Sequence, residues 1–417
     1  MKLLPIAAIA MTLTVATTGC KQNKTEHLAS LNVAYMDTTV APGADFYTYV
    51  NKGWMDANPL TAEHARYGQF DILNDSSETR VRNLIQNLGA SNPEEGSVAY
   101  KVWTVYSQAM DTARRNAEGA KPILADLKKI EDTPHEGMED LFLWMHGNYA
   151  SPFFGAGPME DLMNSTVYAM YVSGGGMGLG DRDYYLLNDE RNTAVRNAYK
   201  KLIATQMQNA GYAEADANRI VANVMKIETA IADSAMTREE SRDIPRMYNP
   251  RTFAQLKESY PAVNWDRFFI ETMDIASPDS VIVTDPKSML QANKLMSTLS
   301  DREIKDYYLW KYVSQASSRL SDDFTNANFE FSKVKSGVQE LRPLWKRALD
   351  ATEGALGEAV GELYVEKYFP ASSKEYMLGL VENLRTALGK HIANLDWMSD
   401  STKARAQEKL AAFTVKI

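Results

Sequence analysis

The sequence predicts a mainly α protein with one small β patch at about residues 152–187. Apolar residues recur at helical spacing through most of the chain after residue 98. The exception holds Thr166, Tyr168, Met170 and Tyr171, a strand-like run, followed by a glycine cluster at 174–180 that reads as a turn. No unit repeats at a fixed period and no block is of low complexity.

The helices follow in chain order. Val102, Tyr106, Met110 and Ala113 mark a periodic stretch over 99–130. Leu202, Ile203, Met207 and Ala210 form one stripe within 192–211, and Gly211 is a helix stop. Ile220, Val221, Val224, Ile227 and Ile231 form another within 214–236. Further helices are expected at 286–299, 301–317, 354–368, 374–394 and 400–412. Ser372-Ser373-Lys374-Glu375 reads as a capping box, with Ser372 accepting an N–H and Glu375 reaching back. The 20 methionines fill gaps between helices rather than bind ligands.

Composition sets the limits of function. The 417 residues correspond to about two to three domains. Hydrophobic residues at 45% and charged residues at 24% are ordinary for a globular protein and exclude a disordered or polytopic membrane chain. A net charge of −9 gives no basic face for nucleic acid. One cysteine excludes an internal disulfide and a thiolate metal cluster.

That cysteine has its own explanation. Lys2 is the only charge before Cys20, and an apolar run from Leu3 to Val15 is too short to span a membrane. Thr17-Thr18-Gly19-Cys20 resembles a bacterial lipoprotein cleavage site, with Thr17 where leucine is usual. Residues 1–19 are therefore expected to be a signal peptide, Cys20 a lipid anchor, 20–35 a polar tether and 36–417 the folded body. The expected location is the bacterial cell envelope, held to the membrane by acyl chains.

Common catalytic signatures are missing. His135-Glu136 begins an H-E-x-x-H pattern, but position 139 is Glu139, so the second zinc-gripping histidine is absent. His27, His64, His135, His146 and His391 are scattered and read as surface or structural residues. The glycines at 174–180 miss the dinucleotide spacing, and no nucleophile elbow occurs. Adjacent carboxylates such as Glu239-Glu240 and Asp322-Asp323 diverge on any regular backbone.

A further set of blocks carries a resemblance. Pro42-Gly43-Ala44-Asp45-Phe46-Tyr47-Thr48-Tyr49-Val50-Asn51-Lys52-Gly53-Trp54 is similar to the opening motif of the neprilysin family of zinc metallopeptidases. Arg66-Tyr67-Gly68-Gln69-Phe70-Asp71-Ile72-Leu73 resembles its second motif. Gly155-Ala156-Gly157-Pro158, the run Gly178 to Leu186, Ile227-Glu228-Thr229 and the run Tyr248 to Thr252 follow in order. Trp345, Gly361, Leu363-Tyr364-Val365, Tyr368-Phe369 and Leu395-Asp396-Trp397-Met398 complete the likeness.

The resemblance implies a large helical lid lobe that closes over a thermolysin-like zinc domain and admits short peptides by size. That catalytic domain is absent from this chain, because the family's metal-binding residues lie C-terminal of the block at Trp397. It implies zinc as cofactor, with no ligand among these residues. It also implies that Arg66 binds the C-terminal carboxylate of a peptide substrate, as a fixed fork of donors suits. Asn74 stands where some members carry a second arginine. Ala44 and Asn51 replace the cysteines of animal members. Residues 36–80 are expected to pack against the missing half, with Phe46, Tyr47, Tyr49 and Trp54 as core anchors. The strand-like end Phe413-Thr414-Val415-Lys416-Ile417 suggests an interrupted chain. The alternatives are a non-catalytic lipoprotein that binds peptides through Arg66, or one that binds glycans through aromatics. Purified chain 21–417 is expected to hydrolyse no peptide when zinc is added. Stoichiometric, inhibitor-sensitive cleavage would contradict this reading.

Overall fold

The computed structural model describes residues 32–148, 150–276 and 278–417. Cys20, the expected signal peptide and most of the expected tether lie outside them. The chain divides into two compact units, Met1–Thr61 and Ala62–Ile417.

In the described part of the first unit, a 3-10 turn at Val33–Tyr35 precedes helix α1 (Phe46–Ala57). Asp45 caps α1 by accepting the Thr48 N–H at 3.0 Å and the Thr48 hydroxyl at 2.6 Å. The Asp37 N–H donates to the Tyr49 carbonyl at 2.8 Å. A Cβ on Gly53 would lie 2.8 Å from the Ala34 carbonyl oxygen, so only glycine lets the turn lie against α1. Helix α1 buries none of its residues. Phe46 and Tyr47, expected as core anchors, are 67% and 66% exposed, which corrects that expectation. One helix and one turn have too little surface to enclose them.

The second unit opens with helices α2 (Gln69–Ala90), α3 (Val98–Met110), α4 (Thr112–Glu118), α5 (Leu124–Asp132) and α6 (Met138–Gly147). The stretch 99–130 is thus three helices rather than one. Asp111 accepts the Arg114 N–H at 3.0 Å and starts α4, and Gly119, at φ 55°, ends it. The hairpin β1 (Phe154–Asp161) and β2 (Asn164–Gly174) follows where the β patch was expected. After it come α7 (Asp183–Leu186), α8 (Glu190–Asn209), α9 (Glu214–Ser234), α10 (Ile244–Met247), β3 (Pro250–Thr252), α11 (Phe253–Ser259), α12 (Trp265–Met273) and β4 (Ser280–Val283). The chain continues through α13 (Pro286–Thr298), α14 (Asp301–Ala316), α15 (Asp322–Ser336), α16 (Leu344–Tyr368), α17 (Ala371–Asn394) and α18 (Asp400–Ala411).

The architecture is therefore mainly α with one small sheet, as the sequence predicts. The sheet has the order β1-β2-β4-β3 and is larger than the expected patch. Strand β2 pairs antiparallel with β1 and parallel with β4, Met170 opposite Val281. Strands β3 and β4, of three and four residues, are too short to show an alternation in sequence. Residues 413–417, read as strand-like, are irregular. Gly211 does stop α8, at φ 97°. The expected capping box at Ser372 is not formed. Helix α17 starts earlier, behind Pro370, so Ser372 is already inside it. Such boxes occur instead at Thr252 with Gln255 and at Ser300 with Glu303. Helix α16 breaks at Leu356 (φ −137°, ψ 34°), which explains why its second part alone reads as a helix in the sequence.

Two large hydrophobic cores organise the second unit, beside a small cluster of Ala169, Tyr171 and Ile282 on the sheet. The larger joins α5, α6, α8, α9, α12, α14 and the sheet, with Trp265, Trp310, Phe153 and Phe268 fully enclosed. It contains an ionisable group. Glu228 is inaccessible and accepts the Tyr185 hydroxyl at 2.6 Å and the Tyr199 hydroxyl at 3.2 Å. Burial pushes its carboxyl above the usual range. Trp310 Nε1 donates to the Tyr199 oxygen at 2.8 Å and fixes that ring. The smaller core joins α2, α3 and α16 through Val81, Ile85, Val102, Tyr106, Ala348, Leu349 and Val360.

Gly178 approaches this network so closely that a Cβ would lie 1.9 Å from the Tyr199 hydroxyl oxygen and 3.3 Å from Glu228 Oε1. Gly178→Ala is expected to cost about 1–3 kcal/mol through overpacking. A urea unfolding midpoint equal to that of the wild type would contradict this.

Candidate functional site

The smaller core presents charged residues on its open side. The loop before α2 is fixed first: the N–H groups of Gln339 and Glu340 donate to the Ala62 carbonyl at 2.9 and 3.0 Å. Lys346 on α16 is 7% exposed, and burying its ammonium requires acceptors. Its Nζ lies 2.8 Å from Glu63 Oε1, 2.8 Å from Asp75 Oδ1 and 3.5 Å from Glu78 Oε2. Arg342 extends the network to Glu78 and Asp350, each at 2.5 Å. The Tyr67 hydroxyl donates to Asp75 Oδ2 at 3.3 Å. A cavity of about 700 Å³ opens beside these groups, with His64, Asp71, Asn74 and Tyr364 also on its wall.

Burial by itself would lower the Lys346 ammonium and raise the Asp75 carboxyl. Their mutual hydrogen bond and opposite charges outweigh burial, so Lys346 is held above its ordinary value and Asp75 below the carboxylate range. Both charged forms are therefore favoured in the fold.

Glu63, His64 and Asp75 carry ligand atoms within 4.8 Å of one another, the one such group among the described residues. They do not fit a zinc ion. Zinc would bond the carboxylate oxygens at about 2.0–2.2 Å, yet the Lys346 ammonium already lies 2.8 Å from an oxygen of each. A dication there would face a buried positive charge at close range. Lys346 itself supplies the cation that this cluster requires.

The remaining described histidines do not converge. His135 pairs with Asp301 at 3.0 Å, which raises its pKa. His146 sits among Phe142, Phe154 and Phe268, with ring centroids 4.6, 5.0 and 5.0 Å away, and burial pushes it down to about 3. His391 is exposed on α17.

Arg66, singled out from the sequence, is exposed and lies on the loop between Glu63 and α2. The cavity is lined by its neighbours Glu63, His64, Asp71 and Asn74, not by Arg66 itself. Asn74 Nδ2 donates to Glu78 Oε1 at 2.9 Å. The sequence reading did not pick out Glu63, Asp75, Glu78, Arg342 or Lys346. Asp75 and Glu78 are three residues apart on one face of α2, a faint local signal. Lys346 meets Asp75 across 271 positions and leaves no local signal at all.

Comparison with known proteins adds a family. Residues 42–417 match the profile of peptidase family M13. Endothelin-converting enzyme 1 of Mus musculus is 29% identical over 389 residues, which cover 90% of this chain and 50% of that protein. Neprilysin-1 of Caenorhabditis elegans is 27% identical over 403 residues, covering 90% and 52%. The Mycobacterium tuberculosis zinc metalloprotease Zmp1, solved with an inhibitor, superposes with a TM-score of 0.84 at 27% identity, over 91% of this chain and 58% of that one. PepO from Lactobacillus rhamnosis shares the fold, with a TM-score of 0.77 at 17% identity over 89% of this chain and 59% of that one. The chain spans about half the length of the curated relatives it matches.

Lys346→Met is expected to destabilise the second unit by about 3 kcal/mol at pH 7, because Glu63 and Asp75 lose the ammonium that faced them. The sign follows from linkage: a carboxyl depressed by folding stabilises above its unfolded pKa, and that contribution is lost as pH falls through the folded value. The penalty is therefore expected to shrink below about pH 4 as Asp75 binds a proton. Urea unfolding of both proteins at pH 7 and pH 3.5 measures it. A penalty independent of pH would reject the ionic role of Lys346.

Proposed function

The chain belongs to peptidase family M13, the neprilysin-type metallopeptidases, and from that premise we propose that it forms the helical covering part of a zinc-dependent endopeptidase of short peptides. The observation that carries this reading is the extended match itself. Nearly all of the folded chain aligns with these peptidases, while about half of each relative's length has no counterpart in it. We place the zinc ligands on polypeptide beyond the 417 residues, consistent with the absence of H-E-x-x-H from them.

Uncovered apolar surface supports the same reading. Helix α17 runs 24 residues yet buries only Ile392. Its Tyr376, Leu380, Leu384 and Leu388, spaced by four, are 74%, 42%, 61% and 47% exposed. A stripe of this kind marks a surface that another body covers. Phe70 and Leu73 on α2 are 87% and 64% exposed and suit the same purpose.

In this reading Arg66 presents its guanidinium to the C-terminal carboxylate of the peptide. Two parallel N–H···O bonds fix the chain end and set the distance to the scissile bond. Its loop is held by the Ala62 hydrogen bonds and by Glu63 against Lys346, so little backbone freedom is lost on binding. Zinc, when bound in such enzymes, lowers the pKa of a bound water to about 7 and polarises the carbonyl. The lobe's contribution is to enclose the peptide and exclude bulk water. Cys20, acylated after export, would hold the protein to the bacterial envelope.

A short peptide with a free C-terminal carboxylate is expected to bind the chain at least about tenfold more tightly than its amide, the value of one charged bidentate contact. Arg66→Ala is expected to abolish that difference in isothermal titration. Equal binding of acid and amide by the wild type would remove Arg66 from the role. An in-frame H-E-x-x-H is expected in the coding DNA after codon 417, and a stop codon at that point would reject the peptidase reading.

A further inference from the structure

We propose that Arg115, Arg319 and Arg347 form a binding site for a phosphate-type oxyanion, distinct from Arg66 and from the Lys346 cluster. Two adjoining cavities, of about 530 and 390 Å³, share Arg115 and Arg319 on their walls, and Arg347 lines the larger. Three separate elements supply the arginines: α4, the turn after α14, and α16.

The donors are unspent. Nε and Nη2 of Arg115 are buried without a hydrogen-bond partner. Buried donors of this kind are normally costly when unmet. Arg319 gives one long bond, 3.4 Å from Nη1 to the Gln315 carbonyl. Arg347 uses its Nε on the Arg342 carbonyl at 3.1 Å, which aims the guanidinium but leaves its terminal nitrogens. Burial and the nearby charge of Arg115 both lower the Arg347 pKa, with Asp322 opposing them. The two cations therefore repel each other in a partly desolvated place, a cost that a bound anion would reverse.

The acids on these walls are mostly committed elsewhere. Glu63 pairs with Lys346, Asp350 with Arg342 and Glu118 with Arg114 at 2.9 Å. Asp111 caps α4. Asp322, off these walls, accepts from Asn116 Nδ2 at 2.9 Å. Glu340 is exposed. Three guanidinium forks offer more donors than one carboxylate has lone pairs to meet, whereas a tetrahedral oxyanion presents oxygens in several directions. Free phosphate and the phosphoryl group of a monoester share this chemistry.

The test is calorimetric titration of the purified chain with inorganic phosphate at constant ionic strength, repeated with glycerol phosphate. Saturable binding at one site is expected, together with a rise in thermal midpoint that equal ionic strength of chloride does not reproduce. Tighter binding of glycerol phosphate would assign the site to monoesters, and tighter binding of phosphate to the free ion. Arg115→Gln and Arg347→Gln are each expected to weaken binding at least about tenfold. Arg347→Lys keeps the charge and most of the stem but not the fork, so it is expected to fold and still bind several-fold more weakly. Absence of saturable heat, an equal effect of chloride, or unchanged affinity in Arg115→Gln and in Arg347→Lys would overturn the proposal.

Discussion

A single buried ammonium ties the smaller core together. Lys346 is removed from water on α16, and its charge is met by Glu63 from the loop and by Asp75 and Glu78 from α2. Burying a lysine alone would be prohibitive, so each of these segments must be in place for the others to be stable. The constraint joins parts of the chain more than 270 positions apart. It fixes the loop that carries Arg66, and it removes the Glu63, His64 and Asp75 group from consideration as a metal site.

The larger core handles its buried carboxyl differently. Glu228 has no cation within hydrogen-bond distance and is met by tyrosine hydroxyls, with Lys311 acting only through space. Neutral donors around a carboxyl raised by burial make a network that specifies side-chain placement more than it adds attraction. Tyr199 is locked between Glu228 and Trp310, and the Gly178 backbone closes against it. Two blocks that carry the family likeness, around Gly178 and Glu228, thus meet at one structural point.

Charge also changes along the walls beside α16. One cavity gathers Glu63, Asp75, Glu78 and Asp350 around Lys346 and Arg342. The next shares Glu63, Arg342 and Asp350 with it and adds Arg115, Arg319 and Arg347. In the first, opposite charges satisfy one another, so the fold gains rigidity. Around the three added arginines they do not, and the unmet donors are chemistry held available for a ligand. The exposed stripe on α17 expresses the same logic for apolar surface: the helix is tied to α18 through Arg385 and Gln407, yet only one of its residues is buried and its apolar stripe is left uncovered.

The sequence by itself determined the helical class, most helix bounds from Glu190 onward, the hairpin and the family, because these are written in local periodicity and in contiguous motifs. Asp111 and Gly119 split one apparent helix into three, and Pro370 displaced an expected cap. In both places a short backbone preference outweighs a longer apolar pattern. The strands at 250–252 and 280–283, the exposure of Phe46 and Tyr47, and the clusters around Lys346 and Arg115 were decided only by tertiary structure. Each depends on groups distant in sequence meeting in space, and no window of neighbouring residues records which side chain will satisfy a buried charge.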